Sequence, residues 1–170
     1  KVQSTEASNA IEGIVTTKAR IRSLVADKVM PRNRDEEAIM GYRDVLNTIH
    51  ENHEYITLHS NIVLQLHHDL YAYSHKSIGG QYKNVQNSII ERLADGSEVE
   101  RFKPLAPYET PAAIDEIRQG VNAVLQDKSV DPLLVIPVFM HDFLCIHPFN
   151  DGNGRMSRLL TTLLLYQNGY

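Results

Sequence analysis

Apolar residues recur at helical spacing along most of the chain. Four such segments begin near Asp35, Thr57, Thr110 and Asp131. Thr57 is a candidate N-cap, whereas Thr110 and Asp131 each stand directly before a proline, a common opening for a helix. The pattern therefore predicts a mainly α-helical protein.

One region departs from the helical pattern. Val85 to Arg92 and Val99 to Phe102 flank an Asp95-Gly96 turn, which is typical of a β-hairpin. Both strands mix charged with apolar residues, so we expect the hairpin, within residues 80–103, at the surface rather than in a core sheet.

The segment from Pro132 to Ile146 is apolar on nearly all sides, which is typical of a central helix. Pro148 cannot continue that helix and disfavours helical geometry at His147. Another helix is expected to begin near Gly152 or Asn153. Its apolar stripe should face the core: Met156, Leu159, Leu160, Leu163 and Leu164. Residues 131–168 thus form a central helix-turn-helix within a single domain of residues 1–170.

Composition narrows the class of protein. Apolar residues make up 42% and charged residues 22%, which is ordinary for a soluble globular domain. With 17 Lys and Arg against 21 Asp and Glu, the net charge of −4 favours neither nucleic acid nor an anionic membrane as partner. The longest apolar run, Leu133 to Met140, is too short to span a bilayer. The expectation is a soluble, cytoplasmic protein, and the alternative that this chain is a fragment of a longer protein is left open.

Several residues are expected to be structural. Cys145 is predicted to be a small buried residue, and His141 a hydrogen-bonded histidine of the core. The remaining histidines spread over different helix faces without cysteine partners, which argues against a zinc site. Four tyrosines are expected to be ordinary helix residues: Tyr42, Tyr55, Tyr71 and Tyr73.

The turn between the two central helices combines groups that phosphate transfer requires. His147 can serve as a base, and Asp151 either caps the next helix or binds a hard cation such as Mg²⁺. The glycines Gly152 and Gly154 let backbone N–H groups approach a phosphate at a helix N-terminus. Two arginines three residues apart lie on one helical face, suited to a polyphosphate: Arg155 and Arg158.

Residues 147–158 resemble, without a mismatch, the signature HPFx(D/E)GNGRxxR of the Fic family. The resemblance implies the Fic fold, a helical bundle in which the hairpin of residues 80–103 is a flap over the nucleotide and the target side chain. It implies His147 as general base and Asp151 as the Mg²⁺ ligand. The phosphate-binding residues that it implies are Gly152, Asn153 and Gly154 as an anion hole, Arg155, and Arg158 for the γ-phosphate.

A second motif lies near the start of the chain. Residues 8–13 match the Fic inhibitory pattern (S/T)xxxE(G/N), with Ser8, Glu12 and Gly13 at the specified positions. The resemblance implies that residues 1–28 form an N-terminal inhibitory helix segment. Glu12 is expected to pair with Arg158 and to occupy the guanidinium that the γ-phosphate needs.

The implied reaction transfers AMP from ATP to a Ser, Thr or Tyr hydroxyl of a target protein, with Mg²⁺ as cofactor. The target can be the enzyme itself, and a homo-oligomer is left open. The alternatives are removal of AMP, Fic-type transfer of UMP, phosphocholine or phosphate, and a non-enzymatic ATP-sensing module. No role in nucleic acid or membrane binding is expected of this domain.

Overall fold

The computed structural model describes residues 1–74 and 78–170. Within them, helices predominate over one small sheet. The helices are α1 (Val2–Ile11), α2 (Lys18–Val25), α3 (Arg34–Asn52), α4 (Ser60–Leu70), α5 (Thr110–Asp127), α6 (Pro132–Ile146) and α7 (Asn153–Gln167). The strands β1 (Ile89–Arg92) and β2 (Glu98–Phe102) precede a 3₁₀ turn, Pro107–Glu109.

Local capping explains where several helices begin. The Asn33 side chain accepts a hydrogen bond from the Glu36 N–H at 2.9 Å and so opens α3. Asp131 accepts from the Leu133 N–H at 2.8 Å and opens α6, as the sequence predicts. These starts depend on neighbouring residues alone.

The predicted cap at Thr57 is wrong, because α4 begins at Ser60 with His59 as its N-cap residue. Leu58 is buried in the core, and its carbonyl accepts a hydrogen bond from Asn122 Nδ2 at 3.2 Å. This tertiary anchor holds the chain ahead of α4 and delays the helix.

The hairpin is antiparallel and its strands are mostly exposed, as predicted. Its first strand begins at Ile89, later than the predicted Val85. Side chains ahead of β1 bind elsewhere: Gln86 donates to the Pro104 carbonyl at 3.0 Å, and Asn87 to the Phe149 carbonyl at 3.2 Å. The Gln86 contact joins the two roots of the hairpin, and the Asn87 contact ties its base to the turn after α6.

The main core lies between α3, α4, α5, α6 and α7. The predicted stripe of α7 is almost completely buried there, so α7 is a central helix. Helix α6 is central on one face only: Ile136 and Phe143 are buried, whereas Leu134 and Val138 are 66% and 61% exposed. An apolar composition on all sides therefore did not mean burial on all sides.

Two expectations for α6 are wrong for the same reason. His141 is exposed and Cys145 is half-buried, because both lie towards the open side of the helix. The Cys145 sulfur lies 3.7 Å from His141 Nε2.

The N-terminal segment packs on α3 through a second, smaller core of Ile21, Leu24, Ile39 and Met40. A partly buried ion pair joins Arg20 of α2 to Glu36 of α3 at 2.5 Å. Helix α1 also contacts α7, which brings the end of α1 to the beginning of α7.

Among the described residues, no helix is both long enough and apolar enough to cross a membrane.

Candidate functional site

The turn between α6 and α7 has an unusual backbone. His147 ends α6 with φ of +52°, a left-handed conformation that is sparsely populated for residues other than glycine. Gly152, just before α7, has φ of +85°. The chain reverses direction between these two residues.

Phe149 and Asn153 hold the turn in place. Phe149 is fully buried, and its ring stacks on His67 with centroids 3.7 Å apart. The Asn153 side chain accepts from the Phe149 N–H at 2.9 Å and donates to the Phe149 carbonyl at 2.8 Å. The Asn153 side chain is thus engaged within the turn, which leaves its backbone as the part that can face an anion.

His147 has the properties of a base. Its ring is partly buried, and burial lowers its pKa, helped by the charge of Lys83 and opposed by the Leu144 carbonyl and Glu12. Its Nδ1 is buried without a well-aligned hydrogen bond to the described residues. A neutral imidazole of this kind can accept a proton near neutral pH.

Arg155 is a buried cation that is poorly compensated by the protein. It is 3% exposed, and its Nε and Nη1 have no hydrogen-bond partner in the described part of the chain. Its Nη2 donates to the Tyr71 hydroxyl at 2.8 Å, and the guanidinium lies over the Tyr71 ring, 5.2 Å from the centroid. Asp151 Oδ1 is 3.7 Å away. Such a charge favours an incoming anion.

Asp151 stands at the entrance to α7. Its carboxylate accepts from the Gly152 N–H at 2.7 Å, and its side chain is 50% exposed. Beside Asp151 and Arg155 is a cavity of about 230 Å³, which Tyr71, Arg34 and Asp35 also line. The carboxylate is therefore accessible to a cation from this side.

Arg158 is already occupied by the N-terminal segment. Its Nη2 donates to Glu12 Oε1 at 2.7 Å and to the Ser8 carbonyl at 3.0 Å, while its Nε donates to Ser8 Oγ at 2.7 Å. Gly13 follows with φ of +73°, which lets the chain turn away.

The Glu12 carboxylate also covers the beginning of α7. A Cβ atom added at Gly154 would stand 2.2 Å from Glu12 Oε1. This close approach requires glycine, and it places the carboxylate at a helix N-terminus, where an anion is favoured. Glu12 thus occupies the position at which an anionic ligand would meet Gly154 and Arg158.

Sequence reasoning did not identify three residues that shape this site: His67, Tyr71 and Lys83. His67 and Tyr71 are four residues apart, at the end of α4 and just after it, and that spacing on one helical face is the only signal the sequence offers. Lys83 is 3% exposed and hydrogen-bonds to the turn. Tyr71, expected to be an ordinary helix residue, instead contacts Arg155.

A sequence model described as Fic/DOC family matches residues 55–165, well over half of the chain. The chain belongs to the Fic/DOC family. The signature residues described above lie within the matched range.

Curated relatives carry the name protein adenylyltransferase Fic. One from Nematostella vectensis is 25% identical over 177 residues, covering 96% of this chain and 37% of the relative. One from Culex quinquefasciatus is 27% identical over 172 residues, covering 96% of this chain and 31% of the relative. The chain thus spans about a third of the length of these Fic relatives.

Solved structures confirm the Fic fold. A Fic domain-containing signaling protein from Bacteroides thetaiotaomicron matches with a TM-score of 0.82 and 26% identity, covering 96% of this chain and 61% of the other. A Fic family protein from Desulfovibrio desulfuricans matches with a TM-score of 0.76 and 22% identity, covering 96% and 47%, and supports the fold alone.

Proposed function

We propose that this domain transfers AMP from ATP to a Ser, Thr or Tyr hydroxyl of a target protein, and that Glu12 inhibits the transfer. The observation that carries the proposal is the Glu12 carboxylate, which lies over Gly154 and pairs with Arg158 at 2.7 Å. An anion site filled by the protein's own carboxylate is what an inhibited phosphate-transfer site requires. The names of the curated relatives support the same activity.

In this proposal, His147 removes the proton from the target hydroxyl, whose oxygen then attacks the α-phosphorus of ATP. The bond to the bridging oxygen breaks and pyrophosphate leaves. Backbone N–H groups of Gly152, Asn153 and Gly154 hold the α- and β-phosphates at the α7 N-terminus. The reaction depends mainly on positioning and charge neutralisation.

The two arginines have different tasks. Arg155 is already buried and held by Tyr71, so it supplies a fixed positive charge to the phosphates. Arg158 is partly exposed and binds the γ-phosphate only after Glu12 leaves it. Inhibition and nucleotide positioning therefore compete for one guanidinium.

The residues present fit a Mg²⁺ ion. Mg²⁺ is commonly bound through one or two carboxylates together with substrate phosphates, and Asp151 offers a half-exposed carboxylate beside the phosphate site. When bound, the ion would neutralise phosphate charge. Asp151 would hold it, and Tyr71 and Arg155 fix the surroundings of Asp151.

The three segments have separate roles in this proposal. Residues 1–28 inhibit, residues 131–168 carry out the chemistry, and the flap of residues 80–103 receives the target. The exposed strands of the flap can pair with an extended peptide, which makes docking only loosely dependent on sequence.

The test compares label transfer from α-labelled ATP by wild type, Glu12→Gly and Glu12→Gly/His147→Ala. We expect a large gain in the first variant, because Arg158 is freed, and loss of transfer in the double variant with ATP binding retained. Glu6→Gln is the matched control, since it removes a carboxylate from α1 away from Arg158. Equal transfer by wild type and Glu12→Gly would contradict the inhibitory role.

Three further measurements separate the alternatives. Label from γ-labelled but not α-labelled ATP would indicate a kinase. Release of AMP from a modified target by wild type would indicate the reverse reaction. ATP-dependent partner binding without a change in intact mass would indicate a sensing module.

A further inference from the structure

Lys83 contacts the backbone on both sides of His147. Its backbone N–H donates to the Pro148 carbonyl at 2.8 Å, and its Nζ donates to the Ile146 carbonyl at 2.8 Å. One residue thus holds the carbonyl that precedes the histidine and the carbonyl that follows it. The Lys83 amine also donates to Asn87 Oδ1 at 3.4 Å.

His147 needs this support because its backbone is strained. A left-handed residue followed by proline is disfavoured and persists only where the surroundings fix it. The Ile146 carbonyl is also one of the last carbonyls of α6, and it lies at the negative end of the helix dipole. An amine there both satisfies that carbonyl and restrains the residue that follows.

A buried lysine at this position costs desolvation free energy. Lys83 is 3% exposed, and its amine donates to neutral oxygens at Ile146 and Asn87. Burial lowers its own pKa, so holding a charged amine here reduces stability. A residue chosen for stability alone would be apolar at such a position.

We propose that Lys83 is a positioning residue for His147, which fixes the backbone on both sides of the base. This inference rests on the proposed role of His147 as general base. The charged groups that act on the His147 ring are Lys83 from the segment before β1 and Glu12 from the end of α1. Lys83 disfavours the imidazolium, and Glu12 favours it.

The position of Lys83 also links the flap to the chemistry. Lys83 and Asn87 lie just before β1, and both bind carbonyls of the turn, at Ile146, Pro148 and Phe149. A target peptide that pairs with β1 would therefore bind next to the segment that holds His147 in place.

The test uses three variants in the Glu12→Gly background. Lys83→Met removes the amine, Lys83→Gln keeps a neutral donor, and Lys83→Arg keeps the charge. Lys103→Met, at the exposed other root of the hairpin, removes one charge without touching the turn. All four are compared in AMP transfer, over a pH series, and in thermal unfolding.

We expect Lys83→Met to lower kcat roughly 10- to 100-fold, as for a displaced catalytic group, with KM for ATP changed less than about twofold. The low-pH limb of the kcat profile should shift to higher pH by at least about half a pH unit, because the positive charge that disfavours the His147 imidazolium is gone. Lys83→Arg should restore most of the rate, and Lys103→Met should change neither quantity. Lys83→Gln should shift the low-pH limb to higher pH as well, but it should retain part of kcat because it keeps a hydrogen-bond donor.

A second readout does not depend on catalysis. The His147 ring is titrated by NMR in wild type and in each Lys83 variant, with the signal assigned by its loss in His147→Ala. A higher pKa of His147 in Lys83→Met and Lys83→Gln, but not in Lys83→Arg, supports the proposal. If no variant transfers AMP, the proposed function fails, and this titration still decides the role of Lys83.

Two results would overturn the inference. One is full kcat with an unchanged pH profile in Lys83→Met. The other is an equal loss in Lys83→Met and Lys83→Arg without movement of the His147 titration, which would mean that Lys83 only fills space. If Lys83→Met does not fold, Lys83→Gln and Lys83→Arg carry the same comparison.

Discussion

At the scale of single residues, His67 connects two segments through both nitrogens of one ring. Its Nδ1 accepts from the Gly80 N–H at 3.0 Å, because an N–H can only donate. Its Nε2 therefore carries the proton and donates to the Asp151 carbonyl at 3.0 Å. Only the neutral ring can make both bonds. His67 thus holds the Asp151 end of the turn through a single tautomer.

This arrangement predicts a pH-dependent stability. Burial lowers the pKa of His67 to about 4, against 6.5 for the free side chain. The folded state therefore prefers the neutral ring, and the resulting stability is present above about pH 6.5 and is lost as pH falls towards 4. We expect His67→Gln to reduce the loss of unfolding free energy over this range by roughly 1–3 kcal/mol. Chemical denaturation at several pH values measures it, and an unchanged pH slope in the variant would contradict it.

The residues of the site differ in how far the sequence reveals them. His147, Asp151 and Arg158 stand within twelve consecutive positions, so their order and spacing carry the information. Tyr71 and His67 contact Arg155 and Asp151 across 84 positions of chain. Such a contact arises only when α4 packs beside the turn, and no local pattern encodes it.

At the scale of elements, helix α1 packs on the domain through a polar buried face. Its buried residues are Thr5, Ser8 and Asn9. Asn9 donates to the Thr5 carbonyl at 2.8 Å, but Thr5 Oγ1 and Asn9 Oδ1 are buried without a hydrogen-bond partner among the described residues. Unpaired buried oxygens weaken the attachment of a helix. In addition, the Glu12–Arg158 pair is partly exposed, which reduces its contribution to the attachment of α1.

The polar buried face of α1 predicts that removing one of its unpaired oxygens strengthens the proposed inhibition by Glu12. Thr5→Val keeps the shape of the side chain and removes the buried hydroxyl, so we expect a gain in unfolding free energy of about 1 kcal/mol. Basal AMP transfer should fall, because α1 leaves Arg158 less often. Thr48→Val is the control, since the Thr48 hydroxyl is satisfied by the Asp44 carbonyl at 3.0 Å. Higher basal transfer in Thr5→Val than in wild type would refute the argument.

Elements could be predicted where their signals are local. The starts of α3 and α6 follow from Asn33 and Asp131, whose side chains cap the residues next to them. The start of α4 could not be predicted, because the burial of Leu58 sets it. The open face of α6 likewise depends on which neighbours pack there. Composition reveals that a helix is apolar and leaves open which of its faces are covered.

At the scale of the whole molecule, Glu36 of α3 is a polar attachment point for the N-terminal segment, beside the smaller hydrophobic core. The Glu36 carboxylate pairs with Arg20 at 2.5 Å, and it accepts from the Arg32 N–H at 2.9 Å and from the Thr16 hydroxyl at 3.2 Å. The Arg20 hydrogen bond lowers the pKa of Glu36 to about 2, although burial opposes this. This contribution to folding is complete above about pH 4.5 and is lost as pH falls towards 2.

Because α1 packs against α2, weakening the attachment of α2 to α3 should release Glu12 from a distance. Glu36→Gln removes the charge while keeping the shape of the side chain, and it leaves Arg20 without its partner. We expect amide hydrogen exchange in residues 1–28 to rise by roughly an order of magnitude, while exchange in α5, α6 and α7 stays unchanged. Basal AMP transfer should rise towards the level of Glu12→Gly, and Glu54→Gln, at an exposed position beyond α3, should have no effect on either measurement. Faster exchange without more transfer would show that α1 stays on Arg158 without α2, and inhibition would then reside in α1 alone.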